Sequence, residues 1–388
     1  AAQAPSTVST SCQVSPSVER KTDVFGSFGF ELWVPTTTYP SGVAATSTSS
    51  RPSSVSLGTS IHEVESADCQ TRPTWPMTSL LLPTATQEED HSLREQKLDC
   101  LVVGAGPAGL SAAIYLGRFL RRVLVLHTGA SRAELIPTSH NYPGYPEGIS
   151  GPDLLKLLKQ QALQYGAVIK PGRVLTLARI GSAFRASYEG GAVDAKRVII
   201  ACGILDHDPT VRNIRRAILG GQLRYCPVCD GYEARDKRIA VIGPAKSAIT
   251  KAVFLRTYSK NVTVICPSTD AKFDADIRDC EIGVLIGEVV EIVGHNSMTV
   301  ILGASERAEF DIVYPALGYT PQSTLATALG ANVDGDGALI VDKHQQTSIE
   351  GLYAAGDVVS DLDQMTIAFG HAAAAATHIH NALPKNLR

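Results

Sequence analysis

Nothing in this sequence is long and apolar enough to cross a bilayer. No run approaches the roughly 18–20 apolar residues of a membrane-spanning helix, although 44% of the chain is hydrophobic. An excess of one charge is equally lacking. The 35 basic and 38 acidic residues leave a net charge of −3, which excludes a nucleic-acid binder working through a concentrated basic surface. Cysteine is sparse: 8 in 388 residues cannot staple a scaffold. Six stand singly and two form a C-x-x-C pair. Glycine, by contrast, is plentiful. The 33 glycines exceed the usual share of about 7% and suit a backbone that must come close to phosphates.

Two textures meet near residue 97. Ser, Thr and Pro make up about four in ten of the first 90 residues, and no helical or strand period persists among them. Such a segment buries too little apolar area to offset its ordering entropy, so residues 1–97 are expected to be a disordered extension. A transit peptide is the alternative. Against it stand 10 acidic residues to 6 basic ones up to residue 97, with no Arg-rich amphipathic pattern. A cytoplasmic location is expected, or an organellar one if the extension is removed on import. From Leu98 onward, short apolar strands alternate with helical stretches and Gly-rich turns. That alternation predicts an α/β protein on parallel sheets, and the length allows two or three units.

The first such unit is specific. Leu98-Asp-Cys-Leu-Val-Val is followed by Gly104-Ala-Gly106-Pro107-Ala108-Gly109 and a helical stretch. In this fingerprint the first glycine makes the turn, the second admits a pyrophosphate, and the third lets helix and strand close up. The helix N-terminus then faces the anion. A second strand, Arg122-Val-Leu-Val-Leu, follows at the right distance. Where an acidic residue would take the ribose, the chain has His127, so the loop Thr128–Arg132 is expected to hold the adenosine instead. Cys226-Pro-Val-Cys229-Asp230-Gly231 places two thiols at i and i+3 at a helix start. They can close a disulfide, and thiolate exchange chemistry is favoured there. Asp230 can move a proton. The other reading, half a zinc site, lacks its second pair of ligands, because Cys266 and Cys280 do not form one.

Four further segments carry a resemblance. Thr347-Ser-Ile-Glu-Gly-Leu-Tyr-Ala-Ala-Gly356-Asp357 is similar to the second FAD motif of two-dinucleotide-domain flavoprotein disulfide reductases. Ala201-Cys-Gly203 resembles their short junction, and Asn141 matches an isoalloxazine-contacting Asn. The stretch opening with Gln364-Met365-Thr366 resembles the helix whose N-terminus points at the flavin pyrimidine. A C-x-x-C-Asp-Gly just ahead of the second nucleotide unit is the arrangement of the low-molecular-weight thioredoxin reductases. The resemblance covers about residues 98–383. It implies bound FAD, Asp357 on the ribityl–phosphate part, Cys229 facing the flavin, Cys226 attacking the partner disulfide, Asp230 as acid/base, and a homodimer. It also implies two Rossmann-like three-layer domains. One is the discontinuous FAD domain, 98–212 and 317–388. The other is the inserted NAD(P)H-binding-like domain, 222–314, which carries the C-x-x-C, with hinges near 213–221 and 315–318.

The second fingerprint departs from the family. Gly243-Pro-Ala245-Lys-Ser-Ala248 has alanine where the second and third glycines belong, and a Cβ at the middle position crowds the pyrophosphate. After Asn261-Val-Thr-Val-Ile-Cys266 comes Pro267 rather than the basic residue that recognises a 2′-phosphate, and Lys272 and Arg278 come only later. Asp363 stands where the family has a basic residue beside the flavin. The electron donor therefore stays open among NADPH, NADH and ferredoxin or another reductant. The expected function is a flavoprotein disulfide oxidoreductase acting on a thioredoxin-like protein or a small disulfide. The alternatives are a dithiol oxidase passing electrons to O2 and a non-enzymatic redox-sensing flavoprotein. No nucleic acid, membrane or metal enters any of these readings.

Overall fold

A strand covered on both faces has no need of alternation, and Leu98–Val103 (β1) is buried at every position. The computed structural model describes residues 98–212, 214–268, 274–294, 297–303, 306–360 and 362–387. The Ser/Thr/Pro-rich extension, both tryptophans and Lys272 lie outside them. After β1 the chain turns through Gly104–Gly106 into a helix at Pro107–Arg118 (α1), whose first position is the proline. A proline there loses no hydrogen bond, and its fixed φ suits the helix. Val123–His127 (β2) returns parallel to β1. The helix Gly151–Gln164 (α2) is capped by Ser150, whose Oγ accepts from the Asp153 amide at 3.1 Å. Val168–Pro171 (β3) then pairs parallel with β2. Val174–Ile180 (β4), Ala183–Tyr188 (β5) and Gly191–Ile200 (β6) follow as an antiparallel meander. The sheet order is β3-β2-β1-β6-β5-β4, so the parallel strands carry the nucleotide turn and the meander extends one edge.

Ile204–Asp206 (β7) leads out of this unit. Residues 214–219, within the stretch expected to be a hinge, form a helix (α3) whose Ala217 and Ile218 enter the core of the next unit. A single helical turn at Pro227–Asp230 (α4) carries the cysteine pair. The second nucleotide-type unit runs through Ile239–Ile242 (β8), Ala245–Leu255 (α5), Val262–Cys266 (β9) and Gly283–Ile286 (β10). The antiparallel strands Val289–Gly294 (β11), Met298–Leu302 (β12) and Glu306–Phe310 (β13) cover it, and Ile312–Pro315 (β14) closes it. Its parallel sheet has the order β10-β9-β8-β14. Tyr319–Pro321 (β15) returns antiparallel to β7, so the outgoing and incoming connections lie side by side. Leu352–Ala354 (β16) then pairs with the end of β6, and Met365–Ala382 (α6) ends the fold.

The expected α/β architecture of two Rossmann-like units is therefore present. Small residues explain the closeness of α1 and α6: Ala112 and Ala113 share a fully buried cluster with Ala372, Ala375 and Ala376. Close helix approach lets both N-termini open onto the C-terminal ends of β1 and β6, where ligands bind in open α/β sheets.

Candidate active site

Glycine at the first turn is required by space. Gly104 has φ +113°, and a Cβ on it would lie 2.2 Å from the Ala201 carbonyl oxygen. The turn thus crosses the end of β6 at the Ala201–Gly203 junction. A Cβ on Gly109 would meet the Gly104 carbonyl oxygen at 1.9 Å, which is the helix–strand closure expected of the third glycine. Gly106 differs. Its nearest neighbour for a Cβ is Ser131 Oγ at 3.4 Å, so the space beside it opens into a cavity. Gly356 has φ +81°, and a Cβ there would press Ala108 Cβ at 2.9 Å. This locks the Gly-Asp turn against the start of α1.

The cavity has a volume of about 1370 Å³ and runs from the Gly104–Ala108 turn to the cysteine pair. His127, Asn141, Ala201, Gly203, Gly356, Asp357, Gln364 and Met365 line it, whereas Thr366 is exposed and does not. Burial and Lys159 hold His127 below its ordinary value, so it faces the cavity as a neutral imidazole near pH 7.

Arg132, expected in a loop holding the adenosine, reaches elsewhere. Its guanidinium forks onto Asp206, with Nε to Oδ2 at 2.6 Å and Nη2 to Oδ1 at 3.1 Å. Its Nη1 lies 3.6 Å from Asp357 Oδ2. Three carboxylates, Asp206, Asp357 and Asp363, therefore surround one fixed cation. Burial pushes Asp357 upward despite Arg132. Burial and then the Asp357 charge raise Asp363 to about 7. The sign of the linked stability follows. A carboxyl raised in the fold costs nothing below the unfolded value near 4. The cost grows as pH rises through the folded value near 7 and is complete above it. Asp363→Asn is accordingly expected to raise Tm by a few °C at pH 8 and to leave it unchanged at pH 4, read by thermal melts. An equal gain at both pH values would show that charge is not the cause.

Cys226 and Cys229 are joined as a disulfide at a Cα separation of 5.3 Å. Cys226 caps the single turn of α4, its Sγ accepting from the Cys229 amide at 3.2 Å. A one-turn helix carries little macrodipole, so the expected helix-terminus effect on the thiols is replaced by local hydrogen bonds. Gln364, at the start of α6, donates from Nε2 to both sulfurs, at 3.4 Å and 3.3 Å. Its Oε1 accepts from Asn141 Nδ2 at 3.0 Å, and Asn141 Oδ1 accepts from Ser139 Oγ at 3.0 Å. Two residues expected at a flavin thus hold the sulfur pair at the cavity wall. Asp230 is pushed up to about 6, by burial above all. The Tyr314 hydroxyl donates to its Oδ1 at 2.7 Å, and Arg224 donates to its carbonyl at 2.7 Å. A carboxyl titrating near 6 beside a disulfide can move protons at neutral pH.

Arg132, Asp206, Tyr314, Arg224 and Lys251 escape a motif reading because five different segments bring them to this site. One signal was present in the sequence. Lys251 falls on the apolar stripe of α5, between Ala248 and Leu255, where every other buried position is apolar.

The second unit keeps half of its fingerprint. Gly243 has φ +156°, and a Cβ would lie 2.5 Å from the Ala316 carbonyl oxygen, the same crossing as at Gly104. Ala248 is fully buried and gives helix–strand closure without glycine. Ala245, at the place of the second glycine of the fingerprint, begins α5.

Among the described residues no group of metal-ligating side chains is assembled, and no helix is long and apolar enough to cross a membrane. Residues 98–376 match the family model described as pyridine nucleotide-disulphide oxidoreductase. The thioredoxin reductase of Treponema pallidum is 32% identical over 278 residues, 68% of this chain and 90% of that protein. That of Aquifex aeolicus is 30% identical over 289 residues, 70% and 88% of the two chains. The crystal structure of thioredoxin reductase from Streptococcus pyogenes superposes with a TM-score of 0.69 at 28% identity, covering 74% of this chain and 97% of that one. With its paired nucleotide-type units, its glycine turns and a disulfide at their common cavity, the chain belongs to the pyridine nucleotide-disulphide oxidoreductase family and is an oxidoreductase.

Proposed function

We propose that this chain is an FAD-dependent disulfide oxidoreductase in which Cys226 and Cys229 relay electron pairs between a bound flavin and a dithiol/disulfide partner. One observation carries the reading: the disulfide lines the same cavity as the Gly104–Ala108 turn and Asp357, pinned there by Gln364. The cavity fits the cofactor. Gly106 leaves room where a pyrophosphate would meet the start of α1, and the neutral His127 faces the adenosine side. Asp357 and Arg132 stand at the middle, with Asn141, Gln364 and Met365 at the end nearest the sulfurs. Bound FAD would supply a two-electron carrier.

Reduction of the Cys226–Cys229 bond breaks one S–S bond and takes up two electrons and two protons. Asp230, raised to about 6, can pass a proton to or from the pair near neutral pH. Cys226 as thiolate then attacks a partner disulfide, forming a mixed disulfide and releasing one partner thiolate. Cys229 displaces the second, re-forming the intramolecular bond. The β7–β15 connections are the place where the inner unit, about 222–314, turns to present Cys226 to a bulky partner. The relatives named thioredoxin reductases support a thioredoxin-like partner; the resemblance of the motifs implies a homodimer, with NADPH the family's donor.

A second reading is favoured by the α5 turn. Ala245 stands where the fingerprint has its second glycine, so that its Cβ would crowd a pyrophosphate, and β9 ends at Cys266 followed by Pro267-Ser268 with no basic side chain. On that reading the Cys226–Cys229 disulfide oxidises a small dithiol to its disulfide, taking up two electrons and two protons, and bound flavin would supply the means of passing them to O2 as hydrogen peroxide. Anaerobic mixing of the flavoprotein with NADPH, NADH, reduced ferredoxin and a small dithiol in turn separates them. Bleaching of flavin absorbance by a nucleotide or ferredoxin is expected for the reductase, with that donor then named. Bleaching by the dithiol alone, with peroxide formed on reoxidation, selects the oxidase. A flavin that none of the four bleaches overturns both.

A further inference from the structure

Lysine is rarely buried without use for its charge, yet Lys251 is only 7% exposed on the apolar face of α5. Its Nζ donates to the Pro315 carbonyl at 2.6 Å and to the Tyr225 carbonyl at 3.0 Å. These oxygens belong to two segments far apart in sequence. Tyr225 is the residue before Cys226, and Pro315 ends β14 just ahead of the returning connection. The ammonium thus lies one peptide group from the redox turn, and on its far side is the strand that carries Tyr314, the hydrogen-bond donor to Asp230. We propose that Lys251 is a positioning residue of the redox turn: its ammonium ties the carbonyl leading into Cys226 to the carbonyl ending β14, and its positive charge sets the acidity of Asp230 and of the sulfur pair once reduced.

The inference rests on the reading of Cys226 and Cys229 as a redox pair, for which it supplies the charge that a one-turn helix does not. The groups facing Lys251 fit the role. Asp206 on β7 and Asp230 on α4 attract its charge, and Arg132 opposes it. Around Asp230, Arg224 favours the carboxylate and Glu233 opposes it, with the Tyr314 hydroxyl donating. The Tyr225 hydroxyl donates to Asp208, which holds the same residue at its other end. Burial brings Lys251 down to about 8, so its charge is present at neutral pH and lost in mildly alkaline solution.

The experiment compares the full chain with Lys251→Met and Lys251→Arg. After reduction by dithiothreitol, whose two thiols close a ring as the protein S–S bond opens, the pair is alkylated with iodoacetamide across pH 5–10. A positive charge near a thiol favours its thiolate. Lys251→Met is therefore expected to move the alkylation midpoint up by about one pH unit, a loss of about tenfold in thiolate at pH 7, and Lys251→Arg to restore most of it. The unsubstituted protein should show a second inflection near pH 8 as Lys251 itself titrates, a measurement that stands if Lys251→Met does not fold. A midpoint unchanged in a folded Lys251→Met, or a single inflection in the unsubstituted protein, overturns the proposal. The assay needs neither flavin nor donor. A flat result with a bleachable flavin therefore counts against Lys251 alone, and a shifted midpoint with a flavin that never bleaches counts against the relay alone.

Discussion

Cys226→Ser and Cys229→Ser each lower disulfide turnover by a factor on the order of a thousand or more while leaving bound flavin at the level of the unsubstituted protein. The size follows from the chemistry. Both exchange steps need a thiolate and a leaving sulfur, a serine hydroxyl supplies neither at neutral pH, and residues that act as one unit lose nearly everything when one is removed. Flavin retention follows from geometry. The pair sits on α4, outside the Gly104–Ala108 and Gly356–Asp357 turns that would grip the cofactor; a serine hydroxyl can accept the Gln364 hydrogen bond in the sulfur's place, while Asn141 still holds the Gln364 Oε1. The check is turnover with a thioredoxin-like disulfide, together with flavin-to-protein absorbance after gel filtration. Full turnover in both variants removes the pair from the electron path.

The second large effect separates folding from cofactor binding at neighbouring glycines. Gly104→Ala forces a Cβ to within 2.2 Å of the Ala201 carbonyl at φ +113°. Neither the backbone of β1 nor that of β6 can retreat, since both are buried central strands. A cost of about 3 kcal/mol is expected, a fall in Tm of about 5–10 °C, with loss of flavin as a consequence. Gly106→Ala meets only Ser131 Oγ at 3.4 Å, and Gly106 has φ −78°, open to any residue. Its Tm without flavin should stay within about 1 °C, while flavin affinity falls about tenfold or more, because the added methyl occupies the closest approach of backbone to pyrophosphate. Thermal melts of flavin-free protein and flavin titration read the two separately. A Gly106→Ala that binds flavin as tightly as the unsubstituted chain removes the pyrophosphate from this turn.

The Asp230 and Asp363 carboxyls also stand apart from ordinary carboxyls in their acidity. Both are raised, to about 6 and about 7, so both change charge between pH 5 and 8, whereas surface carboxyls do not. Residues drawn from segments far apart produce this. Tyr314 and Asp230 are 84 positions apart, and Arg132 and Asp206 are 74 apart. No local pattern encodes such pairs.

What the chain encodes locally, it encodes legibly. The buried run Leu98–Val103, the glycines that fit only one way at 104 and 109, the proline opening α1 and the cysteines three apart each report a backbone constraint acting within a few residues. The α/β class, the first nucleotide turn and the disulfide could therefore be read in order along the sequence. Only the tertiary structure could decide that Arg132 forks onto Asp206 beside Asp357, that Gln364 holds two sulfurs, and that residues 214–219 form a helix with Ala217 and Ile218 in the core of the second unit. It alone decided that a lysine on an apolar helix face is buried against two carbonyls. Burial and charge pairing depend on which segments meet, and that is set by the packing of the sheets rather than by any stretch of sequence alone.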